Sequence, residues 1–470
     1  MNRVHFVALG CPKNRVEAEQ MAALARDRGL TPVADAASAD AIVVHSCGFI
    51  AAATAESITT IVELAQHKQR GRCRALVVTG CLAQRSAAEL ATAIPEIDAL
   101  LGTTTFHTVA DVIQQLLRRR TAQARPHIDV AAADAPVPSP MAATDCGVMR
   151  DLSDAGGSAY LKIAEGCDRR CAFCIIPALR GPQRSRPLAD LVAEAKALAA
   201  AGVVELTLVA QDLTSWGRDL RPRRALPELL TALDASTGLR WIRCLYAYPQ
   251  GVGRELLDTL ARGQRLLPYL DVPIQHASDA VLRRMRRGSG GAALQRRLTA
   301  LRSRVPDLVL RTTVLVGFPG ENARDGAALA RLLDRIGFDR LGAFAYSDEP
   351  GAPAHAMRNK VPAAVARRRL SAIMRQQRAI SRRRLRALRG SVHEAIVEGR
   401  HPESELVLVG RLWSQAPEID GQCILSSERP LQRGQIVKVR VVDSRDYDVV
   451  AEVLEDDDPA PAAPFANRAS

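Results

Sequence analysis

The sequence predicts an α/β protein in three folded parts: an N-terminal parallel-sheet α/β domain, a partial barrel of six β/α repeats and a small C-terminal β-barrel. Three observations predict it. Short β-branched runs alternate with helix-patterned stretches over residues 1–120 and again over 156–360, which is how βα units and parallel strands read. A stretch holding Pro126, Pro136, Pro138 and Pro140 among small residues separates the two blocks and reads as a linker. After Gly390 the helical pattern gives way to short β-runs between glycine turns. The expected boundaries are 1–122, a linker over 123–155, 156–389, 390–456 and a disordered tail over 457–470.

In the first block, Val4–Gly10 leads into Cys11, Ala41–Ser46 into Cys47 and Ala75–Gly80 into Cys81. Each of these strands ends in a cysteine. The carboxyl ends of parallel strands share one edge, where ligands bind, so three thiols far apart in sequence are expected to converge as a three-thiolate site. Three small buried residues at strand ends are the rival reading. Cys73 precedes its strand and belongs at the opposite edge, as a structural residue. Cys146 falls in the linker without a partner at ligand spacing.

In the second block the strand candidates are Tyr160–Ala164, Glu205–Ala210, Trp241–Ala247, Tyr269–Ile274, Leu310–Val316 and Leu341–Ala345, with helical stretches such as 187–201, 226–236, 278–286 and 323–336 between them. Cys244 lies within a strand and reads as core. Directly after the first strand comes Glu165-Gly166-Cys167-Asp168-Arg169-Arg170-Cys171-Ala172-Phe173-Cys174. In α/β barrels that is the active-site end. Cys167, Cys171 and Cys174 lie close enough in one loop to place three thiolates around an iron–sulfur cube. Three ligands to a four-iron cluster leave one iron open, and an open position marks catalytic coordination. A zinc knuckle or three buried thiols are the alternatives, but zinc pairs usually come with a second pair or histidines.

Composition limits the setting. The 470 residues are 47% hydrophobic and 24% charged, enough for several buried cores. No apolar run approaches the roughly 18 residues that span a bilayer, so no membrane partner is expected. Met1-Asn2-Arg3 does not open a signal peptide. A reducing, cytoplasmic setting follows, in which the ten cysteines serve as metal or redox ligands rather than disulfides. The net charge of +13 suits an anionic partner, although an arginine- and alanine-rich composition can also follow from genomic base bias.

The positive charge concentrates in one stretch. Residues 363–389 read as a helix carrying Arg367, Arg368, Arg369, Arg375, Arg378, Arg382, Arg383, Arg384, Arg386 and Arg389 with no acidic residue; it is either a solvated face or a phosphate-contacting surface. The β-runs that follow are Glu394–Glu398, Leu406–Val409, Ile436–Val442 and Val449–Val453. From 390 to 455 there are 12 Asp and Glu against 7 Lys and Arg, a net of −5.

The pattern C-x-x-x-C-x-x-C, with Phe173 before its last cysteine, resembles the radical S-adenosylmethionine superfamily. Over essentially its whole length the chain resembles the methylthiotransferases, within them the RimO branch, which modifies a ribosomal protein. The residues that carry this are Leu9–Arg15, Cys47–Ile50, Gly80–Arg85, Cys174–Pro177 with Arg180-Gly181 and Ser185-Arg186, Leu208–Asp212, Tyr269–His276, Gly317–Glu321 and Ala416–Gly421. Two stretches depart from the family pattern: His45-Ser46 stands where Asn-Thr is more usual, and Pro350–Pro353 replaces a Gly-Thr phrase.

The resemblance implies a TRAM-like C-terminal barrel, two [4Fe-4S] clusters and S-adenosylmethionine. The cluster on Cys167, Cys171 and Cys174 is expected to reduce the cofactor to a 5′-deoxyadenosyl radical that abstracts hydrogen. The cluster on Cys11, Cys47 and Cys81 is expected to deliver sulfur, and a second cofactor molecule the methyl group. Glu205, the glutamate of Gly202-Val203-Val204-Glu205, is a candidate contact to the cofactor's amino group or else a solvated strand-edge residue. The implied substrate is an aspartate β-carbon of small-subunit ribosomal protein number twelve, free or on the subunit, with an electron donor and ribosomal RNA contact as further partners. Two rivals remain. A transfer-RNA adenosine methylthiotransferase is expected to carry a basic β-module; a non-enzymatic iron–sulfur RNA-binding or redox-sensing protein would hold clusters without cleaving the cofactor. The acidic module here, with Glu418 and Asp420 in a turn, is expected to attract a basic ribosomal protein.

Overall fold

The computed structural model describes residues 2–118, 126–135, 150–152, 156–235, 238–305, 307–401 and 403–455. The chain forms two compact units. Unit 1 gathers Met1–Asp154, Ala164–Arg184 and Ser347–His355; unit 2 gathers Ala155–Ile163, Ser185–Tyr346 and Ala356–Ser470. The cysteine loop at 164–184, assigned by sequence order to the barrel, therefore packs with the N-terminal sheet. Among the described residues no helix is long and apolar enough to cross a membrane.

Unit 1 runs β1 (Arg3–Ala8), α1 (Pro12–Asp27), β2 (Thr31–Pro32), β3 (Ala41–Ser46), α2 (Ala51–Arg70), β4 (Ala75–Gly80), α3 (Cys81–Ala93), β5 (Ala99–Leu101), α4 (Val109–Arg118) and β6 (His127–Asp129). Its strands form one parallel sheet in the order β2-β1-β3-β4-β5-β6. β3 and β4 are buried at every residue, as the near-continuous apolar runs of a sheet covered on both faces require. Val43 and Val77 pack with Met21 and Ile113 on one face, and Ile42 and Val78 with Ile61 and Leu90 on the other. Cys73 belongs to the second of these cores, and burial pushes its thiol up to about 11.

The expected linker over 123–155 is not wholly irregular. His127–Asp129 add a sixth strand, parallel to β5 and at the end of the sheet. Cys146 and the tail over 457–470 lie outside the described residues.

After β7 (Ser158–Lys162), the short strands β8 (Ala164–Glu165) and β9 (Arg184–Ser185) pair at the neck of the cysteine loop, which contains α5 (Ile176–Arg180). Unit 2 then continues with α6 (Leu188–Ala200), β10 (Glu205–Val209), α7 (Leu226–Asp234), β11 (Trp241–Cys244), α8 (Arg254–Arg262), β12 (Leu266–Asp271), α9 (Asp279–Arg284), α10 (Gly291–Arg304), β13 (Val309–Val316), α11 (Ala323–Ile336), β14 (Arg340–Ala345) and α12 (Ala363–Arg386). Six parallel strands form one open sheet in the order β14-β13-β12-β11-β10-β7. Cys244 is core, its thiol raised by burial to about 12.

Five further strands close a barrel in the order β15-β16-β17-β19-β18: β15 (Val392–His401), β16 (Ser404–Leu412), β17 (Cys423–Ser426), β18 (Ile436–Ser444) and β19 (Val449–Val453). The four-residue β17 was too short to stand out in the sequence. α12 sends Leu385 into the barrel core beside Leu412, Cys423 and Val439, so the arginine-rich helix has a buried apolar face.

Candidate functional site

The loop of the first triad is held by its own backbone. The Cys167 N–H donates to the Gly181 carbonyl at 3.0 Å, and the Cys174 N–H to the Cys171 carbonyl at 3.1 Å. Gly166 has φ +74°, and a Cβ there would stand 1.9 Å from the Pro182 carbonyl oxygen; only glycine lets the chain turn so tightly. Arg169 N–H points at Cys167 Sγ and Ile176 N–H at Cys174 Sγ, each at 3.4 Å. Such bonds favour thiolate and tune a cluster's potential.

The three strand-end cysteines of unit 1 share the carboxyl edge of the sheet. Cys11 caps α1, Cys81 opens α3 and Cys47 stands four residues before α2, so all three lie near positive helix ends that favour negative charge. Register brings Ser46 beside Gly80, and Leu9 N–H donates to the His45 carbonyl at 2.9 Å. The cysteines are close enough to act on one another. Burial pushes the Cys47 thiol up, reinforced by Cys11, and lifts Cys81 to about 11 against the pull of Arg180.

Gly10, at φ +90°, leaves room for this meeting: a Cβ would stand 2.6 Å from Cys47 Cβ and 2.8 Å from its Sγ. Ser57 Oγ both accepts from the Cys47 N–H and donates to its carbonyl, at 3.0 Å each. Among the described residues no three His, Cys, Asp or Glu side chains stand close enough to share one metal ion. A cube of irons, each thiolate on a different iron, does not ask for that closeness. The donor set of three thiols at helix N-termini, without carboxylate or imidazole, suits such a cluster.

Arg180, the last residue of α5, is buried beside Cys81 of the second triad. Its Nε donates to Cys81 Sγ at 3.3 Å. Nη1 donates to Glu17 Oε1 at 2.6 Å and Glu165 Oε2 at 3.0 Å, and Nη2 to Asn14 Oδ1 at 2.8 Å and Glu17 Oε2 at 3.1 Å. Burial opposes the guanidinium charge, yet Cys81, Glu165 and Glu17 hold its pKa well above the usual value. His45 Nε2 lies 2.7 Å from Glu17 Oε2. Asn14 also donates to the carbonyls of Leu9 and Ser46 at 2.8 and 3.2 Å, which ties the ends of β1 and β3 together.

Residues 3–102 match Uncharacterized protein family UPF0004, 161–333 the Radical SAM superfamily and 390–454 the TRAM domain. Ribosomal protein uS12 methylthiotransferase RimO of Anaeromyxobacter sp. (strain K) is 48% identical over 99% of this chain and 97% of its own length. The protein of the same name from Sorangium cellulosum (strain So ce56) is 44% identical over 97% of this chain and 92% of its own. This chain belongs to the uS12 methylthiotransferase (RimO) family. It is a radical S-adenosylmethionine methylthiotransferase, and the superfamily brings a [4Fe-4S] cluster and the cofactor with it. The radical S-adenosylmethionine methyltransferase TsrM from Kitasatospora setae shares the fold, with a TM-score of 0.54 at 15% identity over 75% of this chain and 77% of that one.

In this methylthiotransferase Glu205, the candidate cofactor contact, is held by arginines. It is the first residue of β10, in register with Ser158 at the start of β7, whereas the cysteine loop leaves from the other end of β7. Its carboxylate is fully buried. Oε1 accepts from Arg243 Nε and Nη2 at 3.0 and 2.8 Å, and Oε2 from Ser158 Oγ at 2.9 Å and from Arg411 Nη2. Burial would raise its pKa, but Arg411 and Arg243 bring it down to about 2. Arg411 belongs to β16, so Glu205 anchors the barrel on the sheet and is no solvated edge. At the carboxyl edge of this sheet Tyr246 and Gln275 adopt φ of 63° and 67°, an uncommon backbone that clusters at functional sites. Asp271 Oδ2 accepts the Tyr246 N–H at 3.1 Å. Positive φ at a tyrosine or glutamine leaves no mark in sequence.

In the turn at 416–421 Glu418 is exposed, while Asp420 is a second anchor. The Asp420 side chain is 1% exposed and accepts from Tyr269 Oη at 2.8 Å and Ala416 N–H at 2.9 Å, with Arg311 Nε 3.7 Å away. Other acids of the TRAM barrel meet arginines of unit 2: Glu394 with Arg240, Glu398 with Arg411, Asp443 with Arg389 and Asp446 with Arg382. Much of the module's acidity is therefore neutralised within its own unit. On α12, Arg369 and Arg384 pair with Glu321 and Asp339, while Arg367, Arg368, Arg375, Arg383 and Arg386 are exposed and make no ion pair among the described residues.

Proposed function

We propose that this protein attaches a methylthio group to the β-carbon of an aspartate of ribosomal protein uS12, in the cytoplasm, using a four-iron cluster on each cysteine triad. The observation that carries the reading is the gathering of both triads in one compact unit, in a chain nearly half identical to a uS12 methylthiotransferase along its whole length. A carbon beside a carboxylate has no acidity useful at neutral pH, so acid–base catalysis cannot place sulfur there. When bound, the clusters and S-adenosylmethionine supply the electron, the hydrogen-abstracting radical, the sulfur and the methyl group.

The chain's own residues do the rest. Gly166 and the N–H groups of Arg169 and Ile176 shape and polarise the loop of Cys167, Cys171 and Cys174. Ser57, Asn14 and Gly10 fix the edge at which Cys11, Cys47 and Cys81 meet. Burial of Cys47, Cys81, Cys167 and Cys171 keeps water from the sulfurs. Tyr246 and Gln275 stand at the carboxyl edge of the unit 2 sheet, the edge at which parallel α/β sheets bind ligands. The exposed arginines of α12 meet phosphates of ribosomal RNA beside uS12, and an external electron donor completes the cycle.

The test is anaerobic reconstitution followed by mass spectrometry of uS12, free and on the small subunit. About eight irons, four per cluster, and a gain of one methylthio group on an aspartate are expected. Saturation near four irons would remove the second cluster. Activity on transfer-RNA adenosine with none on uS12 would overturn the substrate, and filled clusters that never cleave the cofactor would make the protein a non-enzymatic one.

A further inference from the structure

The guanidinium of Arg180 has five N–H groups, and in this structure they meet five acceptors. Four are oxygens, from Glu17 twice, Glu165 and Asn14; the fifth is Cys81 Sγ. The bidentate grip of Glu17 sets the plane of the guanidinium and so aims Nε at the sulfur. Glu17 is itself fully buried, with its far side against His45. Asn14 and Glu17 are three residues apart on one face of α1, and His45 is two residues before Cys47. Arg180 is six residues after Cys174. The network thus reaches every segment that carries a cysteine of the second triad, and its hub sits on the helix that closes the loop of the first. Cys81, Ile175, Leu179 and Ala352 form an apolar cluster beside it, so the bond to sulfur is shielded from water and electrostatically strong.

We propose that Arg180 is a positioning residue that sets the reduction potential of the Cys11/Cys47/Cys81 cluster, donating a charge-assisted hydrogen bond to the Cys81 sulfur. The inference rests on the reading that a cluster occupies that triad. A cation and a hydrogen bond at a ligand sulfur stabilise the reduced state, which carries one more negative charge, and so raise the potential. Glu17 and His45 hold the guanidinium in the pose that makes this bond. Arg180 moves no proton and touches no substrate; it reaches the chemistry through a ligand.

Three measurements on the full chain test this. In a background with Cys167, Cys171 and Cys174 all changed to alanine, about four irons should remain. Fewer would defeat the underlying assignment of a second cluster and not the role of Arg180. In that same background Arg180→Lys keeps a cation but cannot copy the five-way fork. With iron retained, its redox titration should show about a tenfold lower ratio of reduced to oxidised cluster at the parent's midpoint, a downward shift of about 59 mV for one electron. An unchanged midpoint would overturn the proposal. Because that variant can fail to fold, the unsubstituted Arg180 is tested as well. Protein labelled with guanidino-15N arginine should show a 15N hyperfine coupling in pulsed EPR of the reduced second cluster, and a spectrum without it would overturn the proposal.

Discussion

Arg180 in unit 1 and Arg411 in unit 2 are built from the same parts. Their side chains are 1% and 2% exposed, and each grips a glutamate that is 0% exposed, Glu17 for one and Glu205 for the other. Each also has a second carboxylate, Glu165 and Glu398. What differs is the remaining acceptors. Arg180 ends on a cysteine sulfur; Arg411 ends on the Gln415 carbonyl and the Ser158 hydroxyl. Buried ion pairs bring little net stability, because desolvation offsets the attraction, but they fix geometry. In unit 2 the geometry fixed is a barrel seated at the base of a sheet. In unit 1 it is the pose of a guanidinium against the Cys81 sulfur.

Substitutions test this contrast. The largest effect belongs to the cysteines. Cys171→Ala should abolish formation of 5′-deoxyadenosine, while Cys47→Ala should keep some cleavage and lose methylthio transfer; both are read by chromatography of the cleavage product beside mass spectrometry of uS12. Equal loss of cleavage in two folded variants would show that the triads do not divide the work.

Glu205→Ala comes next. It leaves Arg243 and Arg411 buried without their shared partner, a loss on the order of 3–5 kcal/mol, measured by denaturant unfolding. Cofactor cleavage per folded, iron-loaded molecule should not change. A selective loss of cleavage at unchanged stability would return Glu205 to the cofactor site.

Acid offers the same test without mutation. Glu205 titrates near 2 in the folded protein against an ordinary value of 4.5. Its ion pairs therefore contribute in full above about pH 4.5 and progressively less as pH falls towards 2. Between those limits wild type should lose more stability than Glu205→Gln, which has no such proton to take up.

Asp420→Asn should cost about 1–3 kcal/mol, since it keeps the shape but weakens charged bonds to buried groups. Glu418→Lys, an exposed change in the same turn, should stay within about 0.5 kcal/mol. A large loss of uS12 modification in Glu418→Lys alone would restore the turn as a substrate contact.

Much of the fold was legible in the chain because it is written locally. Alternating β-branched runs and helix patterns marked β1, β3 and β4 of the first sheet and all six strands of the second, and a tight cysteine spacing marked the first triad. Three strands each running into a cysteine were enough to bring Cys11, Cys47 and Cys81 to one edge, since parallel strands align their carboxyl ends. The pairing of charges could not be read in the same way. Glu205 read as a cofactor contact or a solvated strand edge and Asp420 as a turn residue facing a basic partner, and the arginines they meet, Arg411, Arg243 and Arg311, lie far along the chain or across the sheet. Arg180 and Glu17 are separated by 163 residues, and nothing local distinguishes either from an exposed charge. By itself the sequence determined which residues could be ligands and which segments could be strands, because hydrophobic period and close spacing are properties of neighbours. Only the tertiary structure decided which buried arginine meets a sulfur and which meets a barrel, because a charge is worth burying only where distant parts of the chain supply every one of its hydrogen bonds.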